Sequence, residues 1–206
     1  MKRLGLIASH AAPPEPQKPP PQPERNLEVD HPGELVQMDC FYIGRLSGVK
    51  GTVWQYTAID VASASTWAEL HASTRNPSAS WTSRLAKRVA RELSKSGWSL
   101  EAVMNDSASE FRSKQFHDTL GKLGGKQIFI HAGRPQTNGC VERVQGAILE
   151  ECWKPAFARY LTPKISGLQR DLAAYLRYYN YDRAHTVRWT NGRTPAQVLR
   201  AGKMYR

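Results

Sequence analysis

The 206-residue chain has little of what secreted and membrane proteins depend on. It contains no run of about 18 apolar residues, so the sequence offers no transmembrane helix. The stretch 1–10 turns polar within a few residues and lacks the apolar segment of a signal peptide. The 3 cysteines, Cys40, Cys140 and Cys152, are too widely spaced for a C-x-x-C metal pair or a disulfide framework. These absences predict a protein of the reducing cytoplasm with no membrane segment.

Acidic residues are also scarce, since 18 Asp and Glu face 29 Lys and Arg and leave a net charge of +11. Bases and acids cancel within residues 1–33, so the whole surplus lies on residues 34–206. A positive surplus on the part that folds favours a polyanionic partner, most often nucleic acid. Ordinary solubilising charge is the alternative interpretation.

The chain divides into three parts by composition. Residues 11–33 form a proline-rich linker, because proline removes backbone donors and favours extended geometry. The stretch 1–10 before it is too short to fold alone and is interpreted as the remnant of a missing N-terminal domain. Residues 34–200 carry the patterned apolar segments of a folded core, with basic helices towards the C-terminus.

Apolar periodicity predicts an α/β fold for this core, with helices on both faces of a mixed sheet. Alternation and short apolar runs predict strands, and apolar residues three to four apart predict helices. The predicted strands are 35–43, 52–59, 66–71, 100–105 and 126–130, and the predicted helices are 80–96, 113–123, one lined by Val141, Val144, Ile148 and Cys152, and 163–179. Trp153 and Trp189 are candidates for exposed partner contacts.

Three acids stand where a purely structural acid is unexpected. Asp39 lies inside an apolar strand, Asp106 directly follows a short strand, and Glu142 lies in the first turn of a helix. Neighbouring carboxylates repel one another unless a cation lies between them, and hard oxygen ligands favour Mg²⁺ or Mn²⁺. Two such ions can support phosphodiester chemistry. Asp60 also ends a strand but is not assigned as a ligand, and Glu110 is interpreted as a supporting or structural acid.

The motifs around these acids resemble those of the retroviral-integrase superfamily. Segment 131–143 resembles the signature R-P-x-x-N-G-x-x-E-R, and 105–111 resembles D-N-G-x-E-F. Residues 179–185 with 194–195 are similar to the Y-N-x-x-R-x-H and T-P tail of bacterial insertion-sequence transposases of the D,D-35-E type. Asp106 and Glu142 are separated by 35 residues, as that type requires. Residues 1–6 are similar to the end of the helix-turn-helix domain that precedes such cores.

The resemblance implies a ribonuclease H-like, five-stranded mixed sheet and a metal-dependent DNA transposase or integrase core. Such a core cleaves the 3′ end of element DNA and transfers that strand into target DNA. The implied catalytic and metal-binding residues are Asp39, Asp106 and Glu142, which hold two Mg²⁺ ions, or Mn²⁺ in their place. The implied DNA-binding residues are Arg134, Gln136, Asn138 and Arg143. The implied partners are double-stranded DNA and further copies of the chain, in the cytoplasm of a bacterium at its nucleoid.

Two positions depart from the family pattern. Ser107 and Ala108 replace the Asn and Gly of D-N-G, and Cys140 replaces a polar or basic residue. Neither departure removes a ligand. Two alternatives therefore stay open, a ribonuclease H-like nuclease that cuts without joining, and a catalytically inactive remnant that still binds DNA.

Overall fold

The fold is built on one five-stranded mixed sheet. The computed structural model describes residues 29–130, 138–186 and 190–201. The strands are β1 (Val36–Gly44), β2 (Thr52–Asp60), β3 (Thr66–Ser73), β4 (Ala102–Asn105) and β5 (Lys126–Phe129), in the order β3-β2-β1-β4-β5. Strands β1 to β3 form an antiparallel meander, whereas β4 is parallel to β1 and to β5. This confirms the predicted ribonuclease H-like sheet. The proposed remnant 1–10 and residues 11–28 of the linker lie outside the described residues.

Helices cover both faces of the sheet, as the apolar pattern predicts. They are α1 (Ala79–Lys95), α2 (Lys114–Lys122), α3 (Gly139–Ile148), α4 (Lys154–Arg159), α5 (Ile165–Tyr181) and α6 (Pro195–Ala201). Val36 and Met38 of β1 pack in the core beneath α1 and α2, whereas Phe41 and Ile43 pack beneath α3 and α5. Because strand side chains alternate between faces, the odd-numbered positions of β1 face α3.

The four residues predicted to line one face of the third helix, Val141, Val144, Ile148 and Cys152, all pack in one core cluster, but the α-helical geometry ends at Ile148. A π-helical turn, Leu149–Trp153, separates α3 from α4. Pro155 lies in the first turn of α4, and its ring would clash with the carbonyl of Glu151 in a regular α-helix. The wider turn accommodates the proline.

Trp153, at the end of the π-helical turn, is fully buried rather than exposed. Its indole Nε1 donates to Oε1 of Gln55 in β2 at 2.7 Å. The prediction of an exposed partner contact at Trp153 was therefore wrong, because strand β2 supplies the polar partner that a buried indole needs. Trp189 lies outside the described residues.

Helix α6 was not predicted, although a local signal precedes it. The backbone N–H of Thr194 donates to Oε1 of Gln197 at 2.9 Å, and the N–H of Gln197 donates back to Oγ1 of Thr194 at 3.3 Å. This is a capping box, with Pro195 at the first helical position. The T-P pair of the tail motif thus starts a helix. Among the described residues, no helix is long and apolar enough to cross a membrane.

Candidate active site

Asp39 lies in the middle of β1, the central strand of the sheet, and shares the α3 face with Phe41 and Ile43. The backbone N–H of Cys40 donates to its Oδ1 at 2.7 Å. Burial raises the pKa of Asp39 to about 6, although the Cys40 N–H opposes the rise. The charge of Asp106 raises this pKa further, the side-chain amide of Gln145 lowers it, and the charge of Glu142 raises it. The carboxylates of Asp106 and Glu142 therefore lie close enough to repel that of Asp39.

Asp106 follows the last residue of β4 and is exposed. Gln37 of β1 pairs with Met104 of β4 in the parallel ladder, so the same register places Asp39 level with Asp106. The N–H of Ala108 donates to Oδ1 of Asp106 at 3.1 Å. The turn that normally carries Asn-Gly thus forms here with Ser-Ala, and its aspartate accepts a bond from the chain two residues on.

Glu142 is exposed in the first turn of α3. A negative side chain is favourable there because the N-terminus of a helix carries partial positive charge. Helix α3 is attached at its start to the strand that carries Asp39, since Oε1 of Gln37 accepts the N–H groups of Cys140 and Val141 at 3.1 and 3.0 Å. The sheet and one helix therefore bring all three predicted acids to one end of the fold.

The donor chemistry of this group fits a hard divalent cation. Three carboxylates converge with no base among the groups that set the Asp39 pKa, and repulsion among them is what a cation would relieve. The buried Gln145 lies beside this group, and its side-chain amide interacts with the Asp39 carboxylate. No three His, Cys, Asp or Glu side chains within the described ranges are already at metal-coordination distances. The three carboxylates lie near one another, and binding of a cation would require them to move closer together.

Glu110, interpreted above as a supporting acid, lies on the other side of β1. It is 5 % exposed, and burial raises its pKa. Its carboxylate makes a side-chain hydrogen bond with the thiol of Cys40, whose pKa burial raises well above its usual range. Glu110 therefore contacts Cys40, the residue next to Asp39, on the face of the sheet that α1 and α2 cover.

Asp60, which was not assigned as a ligand, is a fully buried structural acid. It accepts the backbone N–H of Gly33 at 2.7 Å and that of Ser63 at 2.8 Å. Burial raises its pKa, and these bonds oppose the rise. Val29 packs in a small cluster with Leu35 close to this point. Asp60 thereby fastens the start of the core to the end of β2.

The four predicted DNA-binding residues fall in different places. Arg134 and Gln136 lie outside the described residues. Asn138 precedes α3 and is 6 % exposed, and Arg143 is exposed in the first turn of that helix, next to Glu142. Of the two described members, Arg143 is therefore the exposed one.

The tail motif 179–185 supplies contacts that sequence reasoning missed. The side chain of Asn180 accepts the N–H of Thr66 at 2.9 Å and donates to the Thr66 carbonyl at 2.8 Å, so it holds α5 against the start of β3. Arg183 donates to both carboxylate oxygens of Glu151, at 2.7 Å each, and so ties the end of α5 to the π-helical turn. The ring of His185 packs edge-on against Tyr179 at 4.6 Å. The motif therefore positions helices, and its spacing gave no indication of these long-range partners.

Comparisons with known proteins point to one family. A sequence profile of the integrase core domain family matches residues 123–195. A chain of the simian T-cell lymphotropic virus intasome, solved in complex with PP2A regulatory subunit B56 gamma, has 16% identity and a TM-score of 0.65. The match covers 82% of this chain and 55% of the viral one, so this chain spans about half the length of that relative. No curated protein matches the sequence.

Two isolated catalytic cores resemble the fold over nearly their whole length. The HTLV-2 integrase catalytic core domain, solved with magnesium in a dimeric form, has 17% identity and a TM-score of 0.59, and the match covers 85% of this chain and 99% of that one. The catalytic core domain of BIV integrase has 16% identity and a TM-score of 0.60, with 84% and 97% covered.

The profile match and the shared fold support the integrase superfamily. The profile match spans 123–195, which includes Glu142 and the tail motif, whereas Asp39 and Asp106 lie outside it.

Proposed function

We propose that the chain is the catalytic core of a transposase of the bacterial insertion-sequence type, which cleaves element DNA at its 3′ end and joins that end to target DNA. The observation that carries the proposal is the convergence of Asp39, Asp106 and Glu142 at one end of the sheet, where two of them raise the pKa of the third. A structural role does not account for three like charges placed together.

In this proposal the three acids hold Mg²⁺, with Mn²⁺ as a substitute, and two ions are bound. Bound metal would activate the attacking hydroxyl and stabilise the leaving oxygen. The protein orients the carboxylates that would bind the metal. The Cys40 N–H donates to Oδ1 of Asp39 and the Ala108 N–H donates to Oδ1 of Asp106, so the backbone orients both carboxylates.

The charge of the chain supports DNA as the partner. The net charge is +11, and Arg143 extends from the same helical turn as Glu142. Helix α1 adds a row of exposed bases three to four residues apart, made of Arg84, Lys87, Arg91 and Lys95. Phosphate contacts of this kind hold a duplex in register without reading its sequence. Two ends of an element must be joined in one reaction, so we propose that the chain acts as a homo-oligomer on DNA, at the bacterial nucleoid.

The experiment is a strand-transfer assay with a labelled duplex that carries the sequences flanking this reading frame, a plasmid target, and Mg²⁺ or Mn²⁺. Joined products that disappear in Asp39→Asn would support the proposal. The matched control is Asp118→Asn, which removes an exposed carboxylate from a surface ion pair on α2 and should leave joining unchanged.

Other results would replace the proposal with one of its alternatives. Cuts without joined products would indicate a nuclease of the same fold. DNA binding with neither cutting nor joining would indicate an inactive remnant. Joining that persists in Asp39→Asn would show that the assigned site is wrong.

A further inference from the structure

We propose that Gln37 is a positioning residue, which holds Glu142 at the catalytic cluster by capping helix α3 from strand β1. This inference rests on the proposed function, since it assigns a structural cause to the placement of the third acid. Gln37 is fully buried, and it lies two residues before Asp39 on the same face of β1.

The cap comes from a distant part of the chain. Oε1 of Gln37 accepts the N–H of Cys140 at 3.1 Å and that of Val141 at 3.0 Å, across 103 and 104 residues of sequence. These are two of the four N–H groups that the start of a helix leaves without an internal partner. The residue that normally supplies such a cap is the one before the helix. Here that residue is Asn138, and its side chain makes no capping bond.

The capped amides belong to the two residues directly before Glu142. Both bonds therefore fix the first turn of α3, and with it the Glu142 backbone, to the strand that carries Asp39. The rest of α3 is held independently, because Val144 and Ile148 are buried in the core under this face of the sheet. Loss of the cap should release the first turn while the helix stays packed.

Gln55 offers a matched control on the neighbouring strand. It is also a fully buried glutamine, and its Oε1 also accepts one N–H from the helical layer, that of the Trp153 indole at 2.7 Å. That bond holds the π-helical turn, at the opposite end of α3 from Glu142. Gln37→Met and Gln55→Met thus remove the same kind of group from the same face, one at the site and one away from it.

The experiment compares the 206-residue protein with both variants by amide hydrogen exchange and by Mn²⁺ binding. In Gln37→Met we expect exchange at Cys140 and Val141 to become about tenfold faster or more, and Mn²⁺ affinity to fall about tenfold or more. In Gln55→Met, exchange at these two amides and Mn²⁺ affinity should match the wild type. Gln37→Glu keeps the acceptor oxygens and should restore the protection of both amides.

Unchanged exchange at Cys140 and Val141 in Gln37→Met would overturn the inference. Unchanged Mn²⁺ affinity in that variant, with binding lost in Asp39→Asn, would also overturn it and leave the proposed function standing. A wild-type protein that neither binds Mn²⁺ nor joins DNA would instead refute the proposed function. The exchange data would still report whether Gln37 caps the helix.

Discussion

The charge of Glu69 in β3 should contribute measurably to stability, and pH provides the way to measure it. Its half-buried carboxylate contacts Nε2 of His71 and Nη1 of Arg88, each at 2.9 Å. The hydrogen bond with His71, together with Arg88, lowers the pKa of Glu69 from 4.5 to about 2 against the opposing effect of burial. Arg88 lies on α1, so this carboxylate joins the edge strand of the sheet to a helix.

The size of the effect follows from that shift in pKa. A folded-state pKa below the unfolded value stabilises the protein above pH 4.5, and this stability is lost as the pH falls from 4.5 towards 2. The full shift corresponds to about 3 kcal/mol. Because the Arg88 side chain is 35% exposed and solvent screens the pair, we expect about 1 to 2 kcal/mol at pH 7.

The assay is urea unfolding of the wild type and of Glu69→Gln between pH 7 and pH 3. The variant should be less stable by about 1 to 2 kcal/mol at pH 7, and the gap should narrow as the pH approaches 3. Glu150→Gln, which removes an exposed partner of Lys154, serves as a control and should change stability by less than about 0.5 kcal/mol. A gap of equal size at both ends of the pH range would refute the reasoning, since it would show that the charge of Glu69 contributes nothing.

Three further predictions concern the site, the tail motif and DNA. Asp39→Asn should abolish strand transfer. It should also stabilise the metal-free protein by about 1 to 3 kcal/mol in urea unfolding with EDTA, because it removes a partly buried charge from among like charges. A variant less stable than the wild type would contradict this. Arg183→Ala should lower the stability by about 1 to 2 kcal/mol in thermal unfolding, because Glu151 loses a partner bound at both oxygens. The control Arg177→Ala, on the exposed face of α5, should lower it by less than about 0.5 kcal/mol. Equal losses in the two variants would contradict a stabilising role for the Arg183–Glu151 contact. The affinity for a DNA duplex should fall about a thousandfold from 50 to 200 mM salt if some six phosphates are neutralised, and a flat response would exclude a basic binding surface.

The sheet could be predicted from the sequence because each strand carries its own local signal. Asp39 interrupts an apolar run, and Asp106 follows another, so both acids stood out without any knowledge of the fold. The π-helical turn carries only part of such a signal. Pro155 is a local feature, whereas the bond between Trp153 and Gln55 joins residues 98 positions apart.

The two helix caps also differ in whether the sequence could predict them. Thr194 and Gln197 cap α6 from within its own first turn, so the T-x-x-Q spacing could have revealed that helix. Gln37 caps α3 across the fold, and no local pattern marks it. Which helix Gln37 caps depends on tertiary structure alone.

The contact between Gly33 and Asp60 has a consequence for where the chain can be cut. A recombinant fragment that begins at residue 34 would lack the Gly33 amide, and Asp60 would keep its burial with one donor fewer. Such a fragment would also lose Val29, which is 4 % exposed. Fusion partners or exchanged modules should therefore be attached upstream of Val29. A fusion point after Val29 would remove contacts that belong to the core.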